Sequence, residues 1–170
     1  YCALRSRAVL QAISDPQRVA MSMTTAKLTL AQALDRAFSA CDAGRLVEAE
    51  QLCQRILAAR GDLFDAVHLL AFVQCKLGKK EAAAAGYDRA VALRPDDADA
   101  LNNRGNVLQQ LRRYEEALAS YDRAIMARPD FADAFNNRGR ALVMLRRVEE
   151  ALASYDRALI LRANYPEALN

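Results

Sequence analysis

Two pairs of consecutive asparagines, Asn102-Asn103 and Asn136-Asn137, are the residues whose type and spacing best suit chemistry on a ligand. The pairs stand 34 residues apart, and Asn170 falls at the first position of a third. Asparagine is a mediocre helix former, yet both pairs sit inside helical patterns. A carboxamide both donates and accepts hydrogen bonds. Repeated along a groove, it can bond the backbone of an extended peptide without reading its side chains. Asn106, Gln109 and Gln110 continue the polar run after the first pair, and Arg140, Val143 and Met144 take those places after the second. Earlier in the chain, His68, Phe72 and Lys76 follow one another at intervals of four, a single stripe on a helix face. Such a stripe is either a small aromatic and basic patch for a partner or, as a lone histidine usually is, part of the structure.

Little else points to catalysis. There is one histidine, so no Ser/His/Asp or Cys/His constellation can be assembled. The four cysteines, Cys2, Cys41, Cys53 and Cys75, contain no CxxC pair, and a zinc site needs several convergent ligands. They read as small buried hydrophobes in a reducing, cytoplasmic setting. Glu115, Glu116, Asp122 and Arg123 recur as Glu149, Glu150, Asp156 and Arg157. Adjacent acids on an exposed helix face are solvated charges rather than an acid–base pair across a cleft. The run Gly78–Gly86 lacks the order of a phosphate loop. The expectation is a non-enzyme with no metal and no cofactor.

The elements that must position the amides come from an internal repeat. Residues 95–128 and 129–162 match without a gap at 24 of 34 positions. The same period places earlier units at 61–94 and 27–60, and the opening of a fifth at 163–170. Each unit reads as two helices, Ala98–Leu111 and Tyr114–Ala127 in the third. Pro95 and Pro129 mark the joints between units, where a missing N–H and a fixed φ end one helix and admit the next. Gly44 and Gly78 punctuate the turns inside the first two units. Arg112 and Arg146 take that place later, which predicts a turn of ordinary conformation there. Gly105 and Gly139 lie mid-helix, where glycine costs about 1 kcal/mol relative to alanine. A close crossing of the second helix over the first would account for that cost. Ala49, Ala83, Ala117 and Ala151 recur in the second helix. Tyr87, Tyr121 and Tyr155 follow in phase, then Ala90, Ala124 and Ala158, the alternation of bulky and small that interdigitating helices need.

The period together with these Gly, Ala, Tyr, Ala and Pro positions resembles the tetratricopeptide repeat over Lys27–Asn170, most specifically in the last two full units. The resemblance implies an all-α, right-handed superhelical solenoid of antiparallel helix pairs, with about four full repeats and the start of a fifth. In such a solenoid the first helix of each pair lines the concave face, which places Asn102, Asn103, Asn106, Gln109, Asn136, Asn137, Arg140, His68, Phe72 and Lys76 there. The first two units depart from the pattern with Ala37 and Ala71 at the glycine position. Arg104 and Arg138 stand where the family usually has an apolar residue, so each is expected to snorkel or to pair with an acid such as Glu116 or Glu150. The run NNRGN followed by EEALASYDRA is also similar to repeats of bacterial proteins like the O-linked N-acetylglucosamine transferases. In those, one asparagine per repeat holds the peptide backbone, and Asn103 and Asn137 match it. A lysine-based carboxylate clamp is not expected, because Leu34 and His68 stand at the early positions that would carry the lysine.

The function expected is a protein- or peptide-binding scaffold. One alternative is the substrate-recruiting arm of a larger glycosyltransferase whose catalytic domain lies outside this sequence. Another is self-assembly, giving a homo-oligomer through the C-terminal repeat, where Val143 and Met144 replace Gln109 and Gln110. With 24 basic and 21 acidic residues and no block of like charge, neither nucleic acid nor a membrane surface is an expected partner. No apolar run is long enough to span a bilayer. Residues 1–26 form an extension, helical or disordered, that caps the first repeat. Arg5, Arg7 and Arg18 give it a faint likeness to a transit peptide, and Met21 or Met23 could be the native start.

Overall fold

In the computed structural model, residues 21–23 and 26–163 are described. Most of the expected extension, residues 1–20, and the fifth unit from residue 164 lie outside them. Two short strands come first, β1 (Met21–Met23) and β2 (Ala26–Leu28), paired antiparallel with Met21 opposite Leu28. The described end of the extension is therefore extended backbone rather than helix. Eight α-helices follow among the described residues: α1 (Leu30–Asp42), α2 (Leu46–Ala59), α3 (Phe64–Lys76), α4 (Lys80–Leu93), α5 (Ala98–Gln110), α6 (Tyr114–Ala127), α7 (Ala132–Met144) and α8 (Val148–Ala163). The chain is an all-α stack of helix pairs, and the helix bounds of the third unit fall within a residue of those the sequence predicts. Two compact units divide it, Tyr1–Arg89 and Ala90–Asn170.

Helix starts follow local chemistry. Thr29 opens α1 with a capping box: its hydroxyl accepts from the Gln32 N–H at 3.3 Å, and the Gln32 side chain accepts from the Thr29 N–H at 2.9 Å. Asp97 opens α5 by accepting from the Ala100 N–H at 2.9 Å. Caps of this kind contribute about 1 kcal/mol each.

Helix ends are more uniform than the sequence suggests. At each turn within a pair, the second residue past the helix takes a left-handed conformation: Gly44 at φ 74°, Gly78 at 78°, Arg112 at 61° and Arg146 at 63°. Each turn also closes with the same two bonds. In the third unit these run from Arg112 N to Gln109 O at 3.0 Å and from Arg113 N to Leu108 O at 2.9 Å. This is the Schellman arrangement, which needs a residue at positive φ. The ordinary turn expected at Arg112 and Arg146 is thus corrected. Both arginines hold a conformation that costs a residue with a Cβ about 1 kcal/mol.

In the first unit Leu34, Ala37, Phe38, Cys53, Ile56 and Leu69 belong to one buried cluster. Burial there, with Cys41 and Glu50 near by, pushes the Cys53 thiol up to about 12, so it stays protonated and unreactive. Glu50 is buried as well, and Lys79 answers it at 2.7 Å. In the second unit Leu108, Ala117, Tyr121 and Ala141 form one cluster, and Leu118, Leu142 and Ala151 another.

The glycines report how closely each pair crosses. A Cβ on Gly105 would lie 2.5 Å from Tyr121 Cε1, and one on Gly139 would lie 2.7 Å from Tyr155 Cε1. The tyrosine of the second helix therefore lies flat on the glycine of the first. In the second repeat the roles exchange: Ala71 occupies the glycine position, and a Cβ on Gly86 of the facing helix would lie 2.8 Å from the Ala71 Cβ. One member of each of these contacts must lack a side chain, whichever helix supplies it.

Candidate amide-lined cleft

The first-helix positions of the third and fourth repeats frame a cleft of about 340 Å³, lined by Asn106, Gln109, Gln110, Tyr114, Asn137, Arg140 and Met144. Asn106 and Gln109 sit one turn apart on α5, Asn137 and Arg140 one turn apart on α7. Short loops and the regular stacking of α5, α6 and α7 set these pairs side by side. Six residues named from sequence are thus brought together: Asn106, Gln109, Gln110, Asn137, Arg140 and Met144. Asn103 and Asn136 are half-buried on the same two helices, outside the lining of the cleft.

Asn102 plays a different part. It is buried, 7% exposed, and accepts a hydrogen bond from Asn137 Nδ2 at 3.0 Å. This contact fixes which way the Asn137 amide faces and leaves its carbonyl for other use. The asparagine pairs therefore divide their work between neighbouring repeats: Asn102 orients, Asn137 presents.

The wall behind Asn106 and Gln109 is Tyr121. Its hydroxyl lies 2.9 Å from Asn106 Oδ1 and 3.0 Å from Gln109 Oε1. Burial pushes the phenol's ionisation well above its ordinary value, against the opposing pull of the Arg140 charge. The hydroxyl therefore keeps its proton and serves as a donor. Sequence reasoning treated Tyr121 as packing alone, and missed Tyr114 altogether. The signal for Tyr121 was present, since the two amides face the helix position opposite Gly105.

Arg140 is solvent-exposed and makes no ion pair among the described residues, whereas most arginines around it are engaged. Arg113 holds Glu116 and Arg147 holds Glu150, both at 2.6 Å. Those guanidinium groups keep both carboxyls below the ordinary value. Arg138 donates to Asp122 Oδ1 at 2.7 Å and to Ser154 Oγ at 2.6 Å, and Arg104 donates to Ser120 Oγ at 2.6 Å. The unusual arginines thus bond Asp122 and the two serines, and their charges also help to lower Glu116 and Glu150. Arg128 and Arg162 repeat one contact a unit apart, to Asp99 at 2.7 Å and to Asp133 at 2.8 Å.

The earlier stripe does not act as one surface. His68 is only 3% exposed, stacked on Phe64 at 5.6 Å and edge-on to Tyr87 at 5.4 Å. It belongs to the interior, which corrects its assignment to a binding face. Phe72 is half-buried against the core, and Lys76 Nζ stands 5.4 Å over its ring. Among the described residues no cluster of three or more His, Cys, Asp or Glu side chains could hold a metal ion, and no helix is long and apolar enough to cross a membrane.

Comparison with known proteins agrees with this architecture. Residues 104–168 match a family model described as tetratricopeptide repeat, and residues 73–112 match a second described as TPR repeat. No curated protein matches the chain in sequence. Among solved structures, a crystal structure of MamA superposes with a TM-score of 0.77 at 22% identity, covering 81% of each chain. A further MamA structure gives 0.73 at 19% identity over 96% of this chain and 90% of that one. YrrB, described as a TPR protein with an unusual peptide-binding site, gives 0.73 at 25% identity over 82% of this chain and 72% of that one. The helix pairs, the glycine–tyrosine crossings and these matches together identify residues 73–168 as tetratricopeptide repeats.

Proposed function

We propose that the chain is a scaffold that holds an extended segment of another polypeptide, with the cleft between the third and fourth repeats as its contact site. The observation that carries this reading is the cleft itself: four carboxamides and an arginine with no ion pair among the described residues line one recess. Such a surface offers donors and acceptors to a peptide backbone and a charge to an acidic side chain. Asn103 and Asn136 extend the polar surface on either side, and Asn102 supports it from beneath. The peptide-binding site in the description of YrrB fits the same use. Nothing in the comparisons speaks for a glycosyltransferase, so the recruiting-arm alternative rests on the resemblance of the repeats alone. Panning a random dodecapeptide display library on the protein tests the proposal. The selected peptides should lose at least about tenfold in affinity to the double variant Asn137→Ala, Arg140→Ala, whose circular dichroism should match the parent. Peptides that bind this variant as well as the parent would sink the assignment.

A second reading, self-association through the last repeat, is favoured by one observation. Leu118 of α6 is 7% exposed beneath α7, while its counterpart Leu152 on α8 is 59% exposed. Val148 and Leu159 continue the same stripe of α8, exposed as well. Light scattering should show a mass that rises with concentration and falls back to the monomer on Leu152→Lys. A monomeric mass at all concentrations would remove this reading.

A further inference from the structure

Tyr121 meets two carboxamides with one hydroxyl, and a phenol has one proton to give. Asn106 Oδ1 at 2.9 Å and Gln109 Oε1 at 3.0 Å cannot both accept it as full hydrogen bonds. A carboxamide is nearly symmetrical in shape, and its sense is set by its partners. One amide accepts the phenol proton through its oxygen, which turns its NH2 outward. The other satisfies the phenol oxygen by donating from its NH2, which turns its carbonyl outward. The ring itself is fixed, because it is fully buried and lies on Gly105.

We infer that Tyr121 sets Asn106 and Gln109 in opposite senses, so that the cleft presents one donor and one acceptor side by side and reads a single peptide unit of an extended ligand. This rests on the reading of the cleft as a peptide site and makes Tyr121 a positioning residue for it. A peptide bond offers a C=O and an N–H of fixed relative placement, the complement of such a pair. The device belongs to the third repeat. At the matching positions Tyr155 has Arg140 and Val143, and Tyr87 has Phe72 and Cys75. Neither set contains two amides. The backbone of a ligand is therefore gripped at one point, with Asn137 and Arg140 beside it for the adjoining residue.

The test uses the tightest selected dodecapeptide whose binding requires Arg140, remade with each backbone amide N-methylated in turn. Methylation at one position should cost the parent protein up to about tenfold in affinity, the worth of one neutral hydrogen bond. Tyr121→Phe keeps the ring on Gly105 and removes only the hydroxyl. It should bind the unmodified peptide up to about tenfold more weakly, and the methylation penalty should vanish. Additive losses, with the same penalty in parent and variant, would mean that the hydroxyl only supports the structure, and would overturn the inference. Unchanged binding by Tyr121→Phe would overturn it too, while leaving the peptide site in place. If no selected peptide requires Arg140, the peptide site itself falls, and the inference with it. Should Tyr121→Phe fail to fold, the double variant Asn106→Leu, Gln109→Leu must abolish the same penalty, and its persistence there would be equally fatal.

Discussion

The two compact units are built on one period but spend their equivalent positions differently. In the first, Phe72 and Cys75 hold the positions that match Asn106 and Gln109, and Tyr87 packs on the buried His68, in the surroundings of a core. In the second, Asn106 and Gln109 stand opposite Tyr121, and the same tyrosine becomes a hydrogen-bond donor into a cleft. The turns differ as well. Gly44 and Gly78 adopt positive φ without strain, whereas Arg112 and Arg146 adopt it against the preference of a side-chain-bearing residue. The lesson is that the repeat fixes the backbone and the crossing points, while the character of each face is free to vary. The first unit uses that freedom for packing and the second for a polar cleft.

The largest effect should come from the crossing points. Gly105→Ala forces a Cβ into the Tyr121 ring, and Gly86→Ala forces one against the Ala71 Cβ. Each should destabilise the protein by about 1–3 kcal/mol, the usual range for overpacking. Adding Ala71→Gly to Gly86→Ala should restore most of that loss, and adding it to Gly105→Ala should restore none. Thermal denaturation of the parent and the four variants decides the matter. Equal rescue in both backgrounds would mean that the contacts are not pairwise, and the contrast between the repeats would fail.

The turns come next. Arg112→Gly and Arg146→Gly should each stabilise by about 0.5–1 kcal/mol, and Gly44→Ala and Gly78→Ala should each destabilise by about 1 kcal/mol. Chemical denaturation measures both signs. A loss of stability in the arginine variants would show that those side chains contribute more than their backbone strain costs.

The smallest effect is one of pH and belongs to the second unit. Arg113 and Arg147 hold the Glu116 and Glu150 carboxyls below their ordinary value of 4.5. Groups lowered in the folded state add stability that is present above the unfolded value and is lost as the pH falls through the folded one. Both pairs are exposed, so the change should be slight. Titrating the melting temperature from pH 6 to pH 3 in the parent and in Glu116→Gln, Glu150→Gln should give curves that converge at the acid end. Curves that stay parallel throughout would remove these pairs as the source.

Much of this was legible in the sequence because the repeat carries it. A period held through four units places each helix, each joint and the glycines of the close crossings without reference to tertiary detail. The amide row was legible for the same reason, since asparagine twice in one helix is a costly choice that recurs in phase. What escaped depends on contacts between distant residues. That Asn102 would be spent on Asn137, 35 positions later, follows from how α5 meets α7 and not from either helix alone. Arg112 and Arg146 hid a left-handed turn because the side chain gives no sign of the φ imposed by the Schellman bonds around it. His68 looked like part of a surface stripe because helical spacing shows which residues share a face, but not which face is covered.

The exchange of glycine between the two helices of a pair has a practical consequence for anyone who would cut and rejoin this chain. Ala71 faces Gly86, Gly105 faces Tyr121 with Arg104 on Ser120, and Gly139 faces Tyr155 with Arg138 on Ser154. Each pair of helices is a matched set, and the pairs are not interchangeable helix by helix. A chimera that swaps α3 for α5 while keeping α6 would set Ala71 under Tyr121 and Leu70 against Ser120. Shuffling whole hairpins at Pro95 or Pro129 leaves every matched contact inside one piece. A graft at these joints keeps each crossing intact and has only the contacts between hairpins to re-form, such as Asn137 on Asn102 and Arg138 on Asp122.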